Sequence, residues 1–358
     1  MSAPTTGTSR SAGATLVPRS TRRRPTDPAS LGRGRLVVIT LLLVAAALVA
    51  VLVQLTAVAP RLDATQVWEG LTGASRGSRL ILLTFRAPRL VVGALAGLAF
   101  GVSGALVQRL MRNPLASPDV LGISSGASLA AMVAMLVLGW TGWRVSAAAL
   151  VGAVAIVAVI LLLSGGAGRA GQRFILIGVA LASAANALIA MLASTVSSVQ
   201  ASDALSWLSG SLSPASWERA AWLAVGLAVL LPLTAARRRS LEVLEIDADV
   251  AGALGASPQR DSAVLIALAV GLAALATAAA GPIAFIAFVS GPLSRLLLRG
   301  RPSLVAAGAT GAALTLLADG VAQLLPLGPY PVGIVTGAAG APFLLWVLLR
   351  RSGSGAAA

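Results

Sequence analysis

Residues 36–59 form 24 consecutive positions without a charged side chain, and apolar stretches of comparable length return nine times before residue 350. An α-helix needs about 20 such residues to cross the hydrocarbon of a bilayer. In lipid, every backbone N–H and C=O has to be satisfied within the chain, so repeated runs of this length point to a helical bundle. The first run is also longer than the apolar core of a cleavable signal and reads as a retained span. The chain is expected to be an all-α polytopic membrane protein.

Hydropathy places ten spans at 36–59, 90–110, 120–140, 145–164, 174–194, 217–235, 262–280, 282–298, 303–325 and 332–349. An even number puts both termini on one side. With the N-terminus inside, 20 of the 27 basic residues fall on inside segments and 7 on outside ones, so the positive-inside rule favours N-in, C-in. Residues 1–35, rich in Ser, Thr, Arg and Pro, read as a disordered cytoplasmic tail, and 351–358 read the same way. Between them, 36–350 form one transmembrane domain whose longest inside loop is 237–260.

All 27 basic residues are Arg; the chain has no Lys, His or Cys. A P-loop needs a Lys on the β- and γ-phosphates, so this chain cannot hydrolyse ATP by that chemistry and any ATPase must be another polypeptide. Without imidazole or thiol there is no Ser/His/Asp triad, no zinc site of N/S type, no His-ligated haem and no disulfide. A Ser/Lys pair is excluded as well. The net charge of +15 lies in short clusters between spans, which is a topology signal rather than the basic face of a nucleic-acid binder. Ten spans with little extramembrane mass indicate transport.

Several stretches carry candidate function. At 112–130, Pro114, Pro118 and Gly122 break regular helix on the cytoplasmic side, and irregular backbone at membrane depth is tolerated where it faces protein or a water-filled cavity. Asn113, Pro114, Ser124, Ser125 and Gly126 are therefore candidate pathway residues, with close packing of small residues as the alternative. Asn186, alone in the fifth span, is either helix–helix glue or a pathway contact. Pro118–Ala127 and Pro329–Ala338 share P-x-x-[LV]-G-I-x-[ST]-G-A, which hints that two span entrances solve one geometric problem.

Arg86-Ala-Pro-Arg89 puts two guanidiniums at the outer approach to the second span, suited to carboxylates on a docking partner or to interfacial snorkelling. Asp319 is the carboxylate well inside a span and reads as a helix lock or as a relay, with no titratable partner close to it in sequence. Trp207–Leu212, between the fifth and sixth spans, fits either an interfacial or re-entrant short helix or a simple loop. In the loop 237–260, a short helical pattern follows Arg237–Arg239, and Asp249, Ala251 and Gly255 have the spacing D/E-x-A-x-x-x-G, in which small residues allow a partner to approach closely.

Taken together, these motifs resemble the FecCD family, the permease subunits of ABC importers for ferric siderophores, haem and cobalamin. Arg86-Ala-Pro-Arg89 is similar to the family's R-x-P-R; Val102-Ser-Gly-Ala-Leu-Val-Gln108 with Arg112-Asn-Pro-Leu-Ala116 to S-G-A-x-x-Q and N-P-L-A; and Leu121-Gly-Ile-Ser-Ser-Gly-Ala127 to L-G-x-S-x-G-A. Gly281-Pro-Ile-Ala-Phe285, Leu317-Ala-Asp319 and Pro331-Val-Gly-Ile-Val-Thr336 continue the series in order.

The resemblance implies the ten-span fold of the cobalamin-type (type II) ABC importer permease in the bacterial cytoplasmic membrane. It also implies a second permease across the pathway, an ATPase dimer carrying ATP and magnesium, an extracytoplasmic substrate-binding protein and a ferric siderophore as substrate, with no cofactor bound by this chain. Carried over, Arg86 and Arg89 would meet binding-protein carboxylates, and Asp249, Ala251 and Gly255 would contact the ATPase. Two positions depart from the pattern. Gly291-Pro292-Leu-Ser-Arg295 stands where the family commonly reads P-H-x-x-R, and Gln323 where many relatives carry Arg, which suggests a non-identical second permease. An ion-coupled secondary transporter is the competing class.

Overall fold

One long helix organises the molecule. In this computed structural model, which describes residues 28–355 apart from 59, 120–121, 165–171, 247–256 and 327–329, α3 (Arg76–Leu110) runs through the centre with most of its surface covered. It is preceded by α1 (Pro28–Thr56) and the short α2 (Ala64–Thr72). It is followed by α4 (Ile123–Val137), α5 (Trp143–Ser164), α6 (Gln172–Ser194) and α7 (Ser198–Leu208). Then come α8 (Trp217–Ala236), α9 (Arg238–Ile246), α10 (Pro258–Ala280), α11 (Ile286–Leu297), α12 (Leu304–Leu324) and α13 (Val332–Gly355). Each of the ten expected spans contains a helix. Seven are long and apolar enough to cross a membrane, while 123–137, 286–297 and 332–345 are shorter.

Two of the short helices, α4 and α11, start late because φ is positive at their entrances. Gly122 (φ 75°) precedes α4, and Phe285 (φ 66°) precedes α11 after Gly281 (φ 72°), so neither helix extends back through its entrance residue. The two similar entrance motifs therefore differ in conformation. Gly333 in the second one has no left-handed φ and instead lies against the Ser209 carbonyl.

The second span begins earlier than expected. Ser75 caps α3, and Arg86-Ala-Pro-Arg89 lies inside that helix rather than in an approach loop. Pro88 does not break it because residues 81–86 form a π-turn in which the Ala87 N–H bonds to the Leu82 carbonyl. This leaves the Leu83 carbonyl without a backbone donor, since the residue five places on is Pro88. The Trp217 indole N–H, from the start of α8, donates to it at 2.7 Å.

Around α3 pack α12, α10, α11 and α8. The approach is close because α3 presents glycines: a Cβ at Gly97 would stand 2.5 Å from the Gly311 carbonyl oxygen, and one at Gly104 would overlap the backbone of Ala287. Between lipid-embedded helices this backbone-to-backbone packing supplies the dispersion energy that burial from water supplies elsewhere. Helix α1 clips onto the outside of α12 and α11: Gln54 Nε2 donates to the Leu316 carbonyl at 2.7 Å, and Arg35 Nη2 to that of Leu297 at 3.0 Å. Its opposite face exposes Leu41, Leu42, Leu48 and Leu52.

Candidate functional site

Candidate functional side chains gather toward the two ends of α3. At its N-terminal end, Arg86 is buried and donates to the carbonyls of Leu55, Val58 (2.8 Å) and Pro60, binding the end of α1. One turn on, Arg89 meets Asp319 of α12 with two parallel bonds, Nε to Oδ2 at 3.0 Å and Nη2 to Oδ1 at 2.7 Å. Asp319 is fully buried; its Oδ2 also accepts from Gln323 Nε2 at 2.8 Å, and that amide reaches Gln54 Oε1 at 3.2 Å. A bidentate guanidinium–carboxylate pair in a water-poor site is the geometry of a helix lock joining α1, α3 and α12.

These positions correct the exposed-fork picture of the arginines. Arg86 and Arg89 neither project from the surface nor snorkel, because each guanidinium is engaged within the chain. They do share one cavity of about 350 Å³ with Gln323, Val58, Phe85 and Ser213, and the Arg89 side chain keeps 16% exposure there. Nearby, the segment after Trp207 is pinned at the same end of the bundle: Ser211 N–H donates to the Ala280 carbonyl at 2.9 Å, and Gly333 N–H to that of Gly210 at 3.1 Å. Trp207 itself is buried rather than interfacial.

At the other end of α3, Arg109 pairs with Glu245 of α9, Nε to Oε1 at 2.5 Å and Nη2 to Oε2 at 2.8 Å. Arg112 Nη2 adds a bond to the Leu244 carbonyl at 2.8 Å. The helix closes with Asn113 N–H on the Gln108 carbonyl and Arg112 N–H on that of Arg109, a Schellman turn in which the left-handed residue is Arg112 (φ 48°) instead of glycine. That choice costs about 1 kcal/mol. It places the guanidinium against α9, whose start is further fixed by Arg237 on Asp261 of α10 at 3.3 Å. Asp249, Ala251 and Gly255 lie outside the described residues, in the segment that α9 leads into.

The candidate pathway residues do not form one lining. Asn113 Oδ1 accepts the Leu115 N–H at 2.9 Å and shapes the turn that contains Pro114. Ser124, in the first turn of α4, donates to the Asp119 carboxylate; burial pushes that carboxyl above its ordinary range, and the Ser124 bond opposes the shift. Ser125 is half-buried. Gly126 is a packing residue, since a Cβ there would stand 2.7 Å from the Gly152 carbonyl oxygen of α5. Asn186 is exposed on α6.

A model of the FecCD transport family matches residues 43–350. The chain belongs to the FecCD transport family. It is 37% identical over 322 residues to the ferric enterobactin transport system permease protein FepG of Escherichia coli K12, covering 89% of this chain and 97% of that one. It is 34% identical to the achromobactin transport system permease protein CbrC of Dickeya dadantii, covering 79% and 84%. Among solved structures, an inward-facing metal-chelate type ABC transporter superposes with a TM-score of 0.76 at 25% identity, over 87% of this chain and 98% of that chain.

Sequence reasoning missed two partners in this FecCD chain. Arg89, at the entrance of one apolar span, and Asp319, inside another, are opposite charges, and the cost of leaving either unpaired in lipid was the signal that could have joined them. Glu245 carried no such signal, because a carboxylate in a polar loop has water as an alternative partner.

Proposed function

We propose that this chain is the transmembrane permease subunit of an ATP-driven ABC importer in a bacterial cytoplasmic membrane, with both termini cytoplasmic and ferric siderophores as its substrates. The match to the FecCD family across 43–350 carries the reading, and the absence of Lys assigns ATP hydrolysis to partner subunits. A pair of ATPases binding ATP and magnesium drives alternating access at the interface with a second permease, either a copy of this chain or a non-identical one. This chain binds no cofactor of its own.

The ends of α3 have distinct roles in this scheme. The end with Arg109 and Arg112 holds α9 at the start of the loop where Asp249, Ala251 and Gly255 meet the ATPase. The cavity holding Arg86, Arg89 and Gln323 receives carboxylates of the extracytoplasmic binding protein, with Arg89 exchanging or sharing Asp319. Asn113, Pro114, Ser124 and Ser125 flank the pathway from the turn between α3 and α4, with Asn186 on α6.

The test is uptake of a loaded siderophore by proteoliposomes holding this chain, its ATPase and a second permease. Uptake that needs ATP and the binding protein supports the reading. Uptake driven by a proton or sodium gradient without ATP would place the chain among ion-coupled transporters instead. Within the ATP-driven complex, Gly255→Arg is expected to abolish coupling, and unchanged transport would remove Gly255 from the ATPase contact.

A further inference from the structure

Pro292 lies inside α11. A residue at that position ordinarily donates its N–H to the carbonyl four residues back, here Phe288, and proline has no N–H to give. The donor comes from another helix: Gln108 Nε2 of α3 bonds the Phe288 carbonyl oxygen at 2.9 Å. Gln108 is 1% exposed, and it fits because residue 291 is glycine, where a Cβ would overlap its amide oxygen. That oxygen, Oε1, has no hydrogen-bond partner among the described residues. An amide whose acceptor goes unsatisfied in a buried site is a poor choice for packing alone, so its value at this position lies in the donor.

The next turn of the same helix end faces the other way. Arg109 and Arg112 hold Glu245 and the Leu244 carbonyl of α9. Three side chains within residues 108–112, at the end of α3 and the turn that closes it, thus grip α9 and a proline-interrupted helix together. The molecule uses the same repair at Pro88, where Trp217 fills the Leu83 carbonyl, so a side chain standing in for an amide is a repeated device of this fold.

We propose that Gln108 is a positioning residue that replaces the missing amide of Pro292 and so makes α11 follow the end of α3, and with it α9. Its consequence for transport rests on the permease reading above, in which α9 leads into the ATPase contact. Because α11 cannot repair the gap from its own backbone, a tilt at Gly291–Pro292 breaks the Gln108 bond. The two helices therefore move together or exchange between two discrete arrangements.

The experiment compares wild type, Gln108→Leu, Pro292→Ala and the double variant in the assembled complex, measuring thermal midpoints and substrate transported per ATP. Gln108→Leu is expected to lower the midpoint by roughly 5 °C and transport per ATP about tenfold. In the Pro292→Ala background the restored N–H serves Phe288, so the Gln108→Leu loss of midpoint should shrink to about a third or less. An equal loss in both backgrounds would overturn the amide replacement, and an unchanged transport-to-ATP ratio in Gln108→Leu would overturn the positioning role. If Gln108→Leu fails to assemble, Gln108→Met is read by the same cycle. Failure of the permease reading would show separately, as no ATP-dependent uptake by wild type, while the midpoint cycle still decides the replacement.

Discussion

Replacing Asp319 with leucine leaves Arg89 with no carboxylate in a site where its side chain is 16% exposed. The pair is held by two charge-assisted bonds of 2.7 and 3.0 Å, and Asp319 has Gln323 as a further donor. Removing one member of such a pair costs about 3–5 kcal/mol, because the other charge stays desolvated and unmatched. Arg89→Leu should cost a similar amount, since it strands a fully buried carboxylate with a single amide.

Removing both charges is different. Arg89→Leu with Asp319→Leu deletes the desolvation penalty together with the attraction, and is expected to lie within about 2 kcal/mol of wild type. The double-mutant cycle, measured by reversible unfolding in mixed micelles, should show non-additivity of more than about 3 kcal/mol. Raising salt from about 0.1 to 1 M should leave it unchanged, because buried pairs are weakly screened. Additive single losses, or a coupling that salt removes, would refute the helix-lock assignment. A double variant that folds yet no longer binds the substrate-binding protein would give Arg89 a docking role as well.

Three further outcomes follow from the packing. Gly104→Val should prevent α3 and α11 from meeting and abolish the folded yield, whereas Gly337→Ala, with open space around it, should be neutral or slightly stabilising; detergent-resistant size-exclusion profiles distinguish them. Asp119 has a carboxyl raised from 3.8, so the native state binds the proton more tightly than the unfolded chain. Its contribution to stability falls as pH rises from 3.8 through the raised value, and Asp119→Asn should remove that slope and be the more stable protein at neutral pH, as unfolding over pH would show. Arg112→Gly relieves the left-handed strain while losing the bond to Leu244, two effects of about 1 kcal/mol each that nearly cancel. Arg112→Ala keeps the strain, loses the bond and should unfold at lower denaturant.

The ten helices were legible because span length and apolar composition are local properties set by bilayer thickness. Boundaries failed where backbone conformation overruled hydropathy. Phe285 in a left-handed conformation delayed α11 to residue 286, and a π-turn carried α3 through Pro88 back to Arg76. At the site, Arg89 and Asp319 lie 230 residues apart, so the sequence showed that each charge needs a partner in lipid without showing which one.

The sequence by itself determined that this protein is a helical membrane bundle without the Lys of a P-loop or the His and Cys of an N/S zinc site, since both follow from which residues are present. Only the tertiary structure decided that Arg89 closes on Asp319, that Arg109 grips Glu245 and that Gln108 completes a helix interrupted by Pro292. In each case a buried charge or carbonyl needs a partner, and nothing in linear order says which of the available groups the packing of α3 brings within hydrogen-bond reach.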